Sequence, residues 1–444
     1  MKLRSTRSPS PRATLAEAVL EGLAPDGGLY LLPSLPSFDP PTLEDLRGRS
    51  FPQISQRVLS RLFAGLLPES EIRRLVEDAL SFPAPVRELE PGLSVLELFH
   101  GPTGSFKDTG ARFLSRLLPL LNPHPDRPVV VVVATSGDTG GAVAHAFRGV
   151  PGARAVVLFP DGRISPVQRR QIESGGKGDE GVQAVAVDGS FDDCQRLVKE
   201  VLADDSLRER AVLTSANSIN IGRLLPQVCH FFHGWAQLDP APEELVVSVP
   251  TGNVGHLVSG VMARRMGAPI TRLVAATNSN DGLVRYLQHG EEPQGPSRPT
   301  LSSAMDVAIP SNLERFIALA SENGGGQASY VEASSHSDEE TLEAMAAVER
   351  RWGYLMDPHT AVGWLALQRA LSHRPLGKGG TGLLLSTADP AKFPETVENA
   401  TGRTPSPPPH WRTSAGESDP KPPSRPMKPE MAELRPLLER LVTG

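Results

Sequence analysis

Lys107 stands in a turn of small residues, within His100-Gly-Pro-Thr-Gly-Ser-Phe-Lys-Asp-Thr-Gly-Ala-Arg-Phe113, and opens a helical pattern. A lysine so placed is a candidate Schiff-base lysine: a free amine, with a pKa of about 10.4, is a poor nucleophile at neutral pH, and an imine activates it. Two further segments give it company. Ala134-Thr-Ser-Gly-Asp-Thr-Gly-Gly-Ala142 and Pro250-Thr-Gly-Asn-Val-Gly255 each follow a β-branched apolar run and lead into a helical pattern. At such a junction main-chain N–H groups converge, and glycine lets an anion approach them closely. Gly252, Asn253, Val254 and Gly255 are the expected seat of a cofactor phosphate. Thr135, Ser136, Gly137, Asp138 and Thr139 suit a substrate carboxylate or a ring hydroxyl. One amine and two anion cradles suggest pyridoxal phosphate, although the residues alone establish only a phosphate-bearing cofactor plus a lysine.

Each feature alone has a blander reading. A lone lysine after a helix cap is normally a solvated charge, and a lone glycine turn between strand and helix is mostly topology. Gly176-Lys-Gly-Asp-Glu-Gly181 spells G-x-G-x-x-G but precedes a strand, so it fails the context test for dinucleotide binding and reads as a surface turn. Residues 101–107 resemble a Walker A loop, yet Phe106 and Asp108 flank the lysine where glycine and Ser or Thr are required. His230 and His233 form H-x-x-H with no Glu or Cys partner, and no metal is expected.

The elements that must position these groups follow from patterning. Buried strands are expected at 129–133, 155–159, 182–187, 246–249, 273–277 and 383–385, with helices at 141–147, 191–202, 221–236 and 257–266. Strand, glycine turn and helix in repetition imply an α/β fold: two lobes of parallel sheet covered by helices, with a cleft between them. Residues 15–90 alternate helical spacing with proline-rich joints, and 24–33 read as a turn leading into a short strand. The expected organisation is a mainly helical N-terminal domain at 1–92, a large α/β domain at 93–112 and 241–403, and a smaller one at 113–240. Eight prolines in 404–426 predict an extended or disordered linker. After it, Leu434, Leu437, Leu438 and Leu441 fall on one stripe of a C-terminal helix, 427–444, which should dock back onto the globule.

With 444 residues, 39% of them hydrophobic and 22% charged, the chain can bury a large core. Its net charge of −6 offers no footprint for nucleic acid or an anionic membrane. Cys194 and Cys229 lie far apart and outside any ligand spacing, which fits a reducing cytoplasm. Lys2, Arg4, Arg7 and Arg12 lie among serines as in a transit peptide, but no apolar run follows, and a mature N-terminus is expected.

The same segments resemble the threonine synthase family, in its longer microbial branch. The resemblance runs from Met1-Lys-Leu-Arg-Ser-Thr-Arg7 to about Glu398, through Ala24-Pro-Asp-Gly-Gly-Leu-Tyr30, Ser215-Ala-Asn-Ser-Ile-Asn220, Ser303-Ala-Met-Asp306 and Pro390-Ala-Lys-Phe393. It implies a fold-type II pyridoxal phosphate enzyme that converts O-phosphohomoserine and water to threonine and phosphate. It also implies that Lys107 is the imine lysine and proton shuttle, that 252–255 hold the cofactor phosphate, and that Thr387 meets the pyridine nitrogen as a neutral partner. Asn217, Ser218 and Arg223 match a segment that grips the substrate phosphate, which suits the planar fork of arginine. Asp138 stands where many relatives carry asparagine. His100, Asn278, Asp281 and Asp306 lie in family-like segments without assigned roles. The stretch from Thr404, the helix after it and residues 324–340 depart from the family pattern. The chain is expected to be a monomer or a homodimer. A phospho-lyase releasing 2-oxobutyrate, ammonia and phosphate from the same substrate is the nearest rival. A dehydratase needs no second anion site, and a non-catalytic binding protein has no use for Lys107.

Overall fold

The computed structural model describes residues 2–7, 13–174, 181–320, 328–414 and 426–443. These form two compact units. One contains residues 1–31, 107–223 and 408–444; the other contains 32–106 and 224–407. The stretch 1–92, expected as one N-terminal domain, is thus shared between them. The turn of 176–181 falls almost wholly outside the described residues.

The unit carrying Lys107 is built on a four-stranded parallel sheet in the order Val182–Val187, Ala153–Pro160, Val129–Ala134, Val212–Thr214. Five consecutive valines make Val129–Ala134 a strand, since β-branched side chains pack well on a pleated surface, and helices on both faces bury it throughout. Helix Phe191–Leu202 is capped by Ser190, whose hydroxyl accepts the Asp193 amide while Asp193 returns the bond. Its apolar face, Cys194, Leu197, Val198 and Val201, packs with Leu434, Leu438 and Leu441 of helix Met431–Thr443. The predicted C-terminal stripe therefore docks, at about 2 kcal/mol for each leucine removed from water. Arg196 adds a 2.7 Å bond to the Pro429 carbonyl, and Met427 joins the sheet edge beside Val187. The linker expectation for 404–426 needs correction at 409–414, which form a short helix; Pro409 at its first position has no N–H to leave unpaired.

The other unit holds a six-stranded sheet in the order Val331–Ser335, Arg272–Thr277, Glu244–Pro250, Gly380–Ser386, Leu93–Glu97, Val86–Glu90. All neighbours run parallel except the last pair. Helix Pro358–His373 covers one face and shares the core of Val95, Val246, Val274 and Leu384 with helix Asp338–Trp352. The single helix expected at 221–236 is instead Ile221–Leu224, a 3-10 turn at Leu225–Gln227, and Val228–Ala236. Pro226 lacks the N–H that a continuous helix needs.

Candidate active site

Lys107 is the first residue of helix Lys107–Leu121. Its Nζ lies 3.5 Å from Oδ2 of Asp138, and the side chains are 16% and 2% exposed. The other Asp138 oxygen accepts a 2.9 Å bond from Gln168 Nε2. The loop carrying Asp138 is folded by Thr135, whose buried hydroxyl accepts the amides of Gly137 at 2.9 Å and Gly140 at 2.8 Å. Gly137 has φ 134°, and a Cβ there would sit 2.4 Å from the Gln168 side chain, so only glycine lets Gln168 reach Asp138. Ser136 and Thr139 are half-buried beside it. Of the five residues expected to take a substrate anion, Thr135 thus braces the loop, and Asp138 faces the lysine.

In the same unit Asn217 donates to the Ala134 carbonyl at 3.0 Å and accepts from Ser215 Oγ at 3.0 Å, tying the 215–220 loop to the strand end that leads to Thr135. Asn220 donates to the Ser215 carbonyl at 3.0 Å and begins the turn into Ile221–Leu224. Arg223 is 2% exposed and donates to the Ala216 carbonyl. Burial lowers its pKa to about 10, against the opposing pull of the buried carboxylate of Asp108. The guanidinium stays charged at neutral pH, so the loop around Ala216 carries a fixed, desolvated positive charge. Ser218 is half-buried beside it.

The second loop expected to take an anion lies in the other unit, where strand Glu244–Pro250 runs into helix Gly255–Arg265. Val254 caps the helix at φ 63°, the one non-glycine residue with positive φ among the described residues. For a β-branched side chain that conformation is strained, and such strain concentrates where ligands are clamped. The loop is held from outside: Asn312 N–H and Nδ2 donate to the Asn253 carbonyl at 3.2 and 3.1 Å, and Ser311 N–H donates to Asn253 Oδ1 at 3.2 Å. A Cβ on Gly252 would lie 2.7 Å from Met305 Cα. The amides of Gly252, Asn253, Val254 and Gly255 donate to no acceptor among the described residues. A row of open N–H groups at a helix N-terminus fits a phosphate.

Thr387 follows strand Gly380–Ser386 and is buried; its carbonyl accepts the Phe106 amide at 2.9 Å. The segment before Lys107 is laced to the same corner, with Ser105 bridging Ala388, the Asp389 amide on the Gly104 carbonyl, and buried Lys392 donating to the Thr103 carbonyl at 2.9 Å. His256 stacks on Phe106 with centroids 4.5 Å apart, and its Nε2 lies 3.0 Å from His230 Nδ1. His233 bonds the Ala84 carbonyl at 2.7 Å. Nothing in the local sequence marks His256 or Lys392. The aromatic beside the lysine was the one readable signal, because Phe106 replaces the glycine of a nucleotide loop.

Asn278 and Asp306, left without roles, form one polar knot: Asn278 Nδ2 donates to Asp306 Oδ1 at 2.9 Å, and Thr300 Oγ1 does so at 2.7 Å. Asp281 precedes helix Gly282–His289 and pairs with Arg285 at 3.1 Å, and His100 lies 2.7 Å from Glu97. Burial raises the pKa of Asp306 to about 6. Between pH 4 and 6 the folded chain keeps a proton there that the unfolded chain has lost, so this contribution to stability is full at low pH and disappears as pH rises through 6. The difference in urea midpoint between wild type and Asp306→Asn is expected to change across pH 4 to 6 and to be flat from 7 to 8. A constant difference from pH 4 to 8 contradicts the assignment.

Parallel α/β sheets and a lysine beside a buried carboxylate fit a pyridoxal-phosphate-dependent enzyme of fold type II, and residues 83–387 match the family described as pyridoxal-phosphate dependent enzyme. Residues 2–80 match the threonine synthase N terminus, and 360–421 match the threonine synthase C-terminal family. The chain belongs to the threonine synthase family. It is 40% identical over 404 residues to threonine synthase of Serratia marcescens, covering 91% of each chain, and 40% identical over 405 residues to that of Escherichia coli, covering 91% and 92%. The crystal structure of the Escherichia coli threonine synthase superposes with TM-score 0.89 at 39% identity over 99% of this chain and 100% of that one. A pyridoxal-phosphate-bound threonine synthase from Brucella melitensis superposes with TM-score 0.89 at 34% identity, covering 100% of both chains. The likeness therefore does not stop near Glu398, as the motifs suggested: the C-terminal family match carries it to residue 421.

Proposed function

We propose that this chain makes L-threonine and phosphate from O-phospho-L-homoserine and water with Lys107 as its imine-forming amine and proton carrier. The observation that carries this reading is the Lys107–Asp138–Gln168 arrangement at the start of a helix. Bound pyridoxal phosphate supplies an aldehyde for the substrate amine and a ring that takes up the electron pair a departing proton leaves behind. As a free amine Lys107 would remove the proton from Cα, take one from Cβ as phosphate leaves Cγ, and return a proton to Cγ before water adds at Cβ. Asp138 keeps the amine in place, and Gln168 keeps Asp138 from turning away. Gly252, Asn253, Val254 and Gly255 would hold the cofactor phosphate on their open amides, and the Thr387 hydroxyl would meet the ring nitrogen without giving it a full proton. Thr139 and Ser136 are left to receive the substrate carboxylate. Asn217, Ser218 and Arg223 are left to orient its phosphate, with Arg223 contributing the positive charge.

Among the described residues no helix is long and apolar enough to cross a membrane. Cys194 and Cys229 are buried free thiols, which supports a reducing cytoplasm as the place of work. Incubation with O-phosphohomoserine should release threonine and phosphate in equal amounts. Accumulation of 2-oxobutyrate as the main product would overturn the reading in favour of a phospho-lyase.

A further inference from the structure

The N-terminus of helix Pro358–His373 is capped by Asp357, a carboxylate with 0% exposure. Its Oδ2 accepts the His359 amide at 2.9 Å and His359 Nδ1 at 2.6 Å. Its Oδ1 accepts the Thr360 amide at 3.2 Å and the Thr360 hydroxyl. Four donors on one buried carboxylate exceed what a helix cap requires, which is one or two backbone amides. The remaining bonds lead elsewhere.

His359 Nε2 takes the amide of Ala304 at 3.1 Å. An amide only donates, so the ring proton sits on Nδ1, and Asp357 is what fixes that tautomer. Ala304 lies in the turn Ser303–Met305, whose Met305 leaves Gly252 no room for a Cβ. Thr360 has one hydroxyl proton, and Asp357 holds it. Its oxygen therefore accepts, taking Ser386 Oγ at 3.0 Å and the Thr387 amide at 3.3 Å. The Thr387 carbonyl in turn holds the amide of Phe106, the residue before Lys107.

We infer that Asp357, His359 and Thr360 form a positioning hub, which sets the turn backing the phosphate loop through His359 and the ring-nitrogen corner at Ser386–Thr387 through Thr360. This rests on the reading above of 252–255 and Thr387. The two arms predict separable losses. Thr360→Val keeps the side chain's shape and removes the acceptor for Thr387; it should shift the visible absorption of the bound cofactor and the pH dependence of that absorption, and Thr360→Ser should restore both. His359→Phe keeps the ring packed at 5.0 Å on Phe393 and frees the Ser303–Met305 turn.

The test is titration of the cofactor-free full chain with pyridoxal phosphate and with pyridoxal, which lacks the phosphate, followed by absorbance. For His359→Phe the expected result is affinity for pyridoxal phosphate weakened about tenfold or more, with affinity for pyridoxal within about twofold of wild type, since one lost buried bond is worth roughly a factor of ten. Equal loss of both ligands together with earlier unfolding of the cofactor-free chain overturns the hub and leaves a helix cap. Wild-type absorption and affinity in both variants also overturn it. A wild-type chain that binds neither ligand removes the reading of the site on which the hub rests, a different result from variants that fail beside a competent wild type.

Discussion

Lys107→Ala is expected to abolish the visible absorption of the cofactor-loaded chain and to lower threonine formation roughly 10³-fold or more, because the residue both forms the covalent link and moves the proton. The chain should still fold. Lys107 opens a helix, where alanine is the best helix former, and its Nζ makes a long 3.5 Å pair with Asp138, whose other oxygen stays on Gln168. What the variant does leave behind is a carboxylate 2% exposed without its cation, at a cost of about 1–3 kcal/mol. Lys107→Arg separates the two effects: it keeps a positive charge near Asp138 and cannot form the imine. Absorbance before and after borohydride, threonine release and thermal unfolding on the same samples decide the matter. Both variants should lack the borohydride-sensitive band, and only the alanine variant should unfold earlier. A full visible band in Lys107→Arg would place the imine on another lysine.

The parts of this chain that could be read from the sequence are those where one local rule suffices. Five β-branched valines in a row favour a fully buried strand, and a serine three residues before an aspartate starts helix Phe191–Leu202 at the predicted residue. The strand Glu244–Pro250 and its glycine loop were visible for the same reason. Strands Leu93–Glu97, Val86–Glu90 and Val331–Ser335 were missed because edge and neighbouring strands with charged residues carry little apolar periodicity. The hub at Asp357 was also unreadable. Asp357, Ala304 and Ser386 are far apart in sequence, and Asp-Pro before a helix reads as an ordinary cap. Asp138 shows the same limit: no local rule tells that it lies 3.5 Å from Lys107, 31 residues earlier in the chain.

Arg223→Lys is the second large effect, and it separates a phosphate grip from a structural clamp. The buried guanidinium bonds the Ala216 carbonyl and feels Asp108, so both roles draw on the same charge. Lysine keeps that charge near Asp108 but loses the fork that holds the loop and can bind two phosphate oxygens at once. If Arg223 orients the substrate phosphate, kcat/KM for O-phosphohomoserine should fall about 30- to 1000-fold, the range expected when a desolvated charged contact worth roughly 2–4 kcal/mol is lost. The loss should appear in kcat as well as KM, because a phosphate that departs during the reaction must be held most tightly as it leaves. Inhibition by inorganic phosphate should weaken in parallel, while the visible absorption of the bound cofactor stays unchanged. A variant that unfolds several degrees earlier but keeps wild-type kcat/KM and phosphate inhibition would instead make Arg223 the partner of Asp108 and the brace of Ala216, with the substrate phosphate left to Asn217 and Ser218.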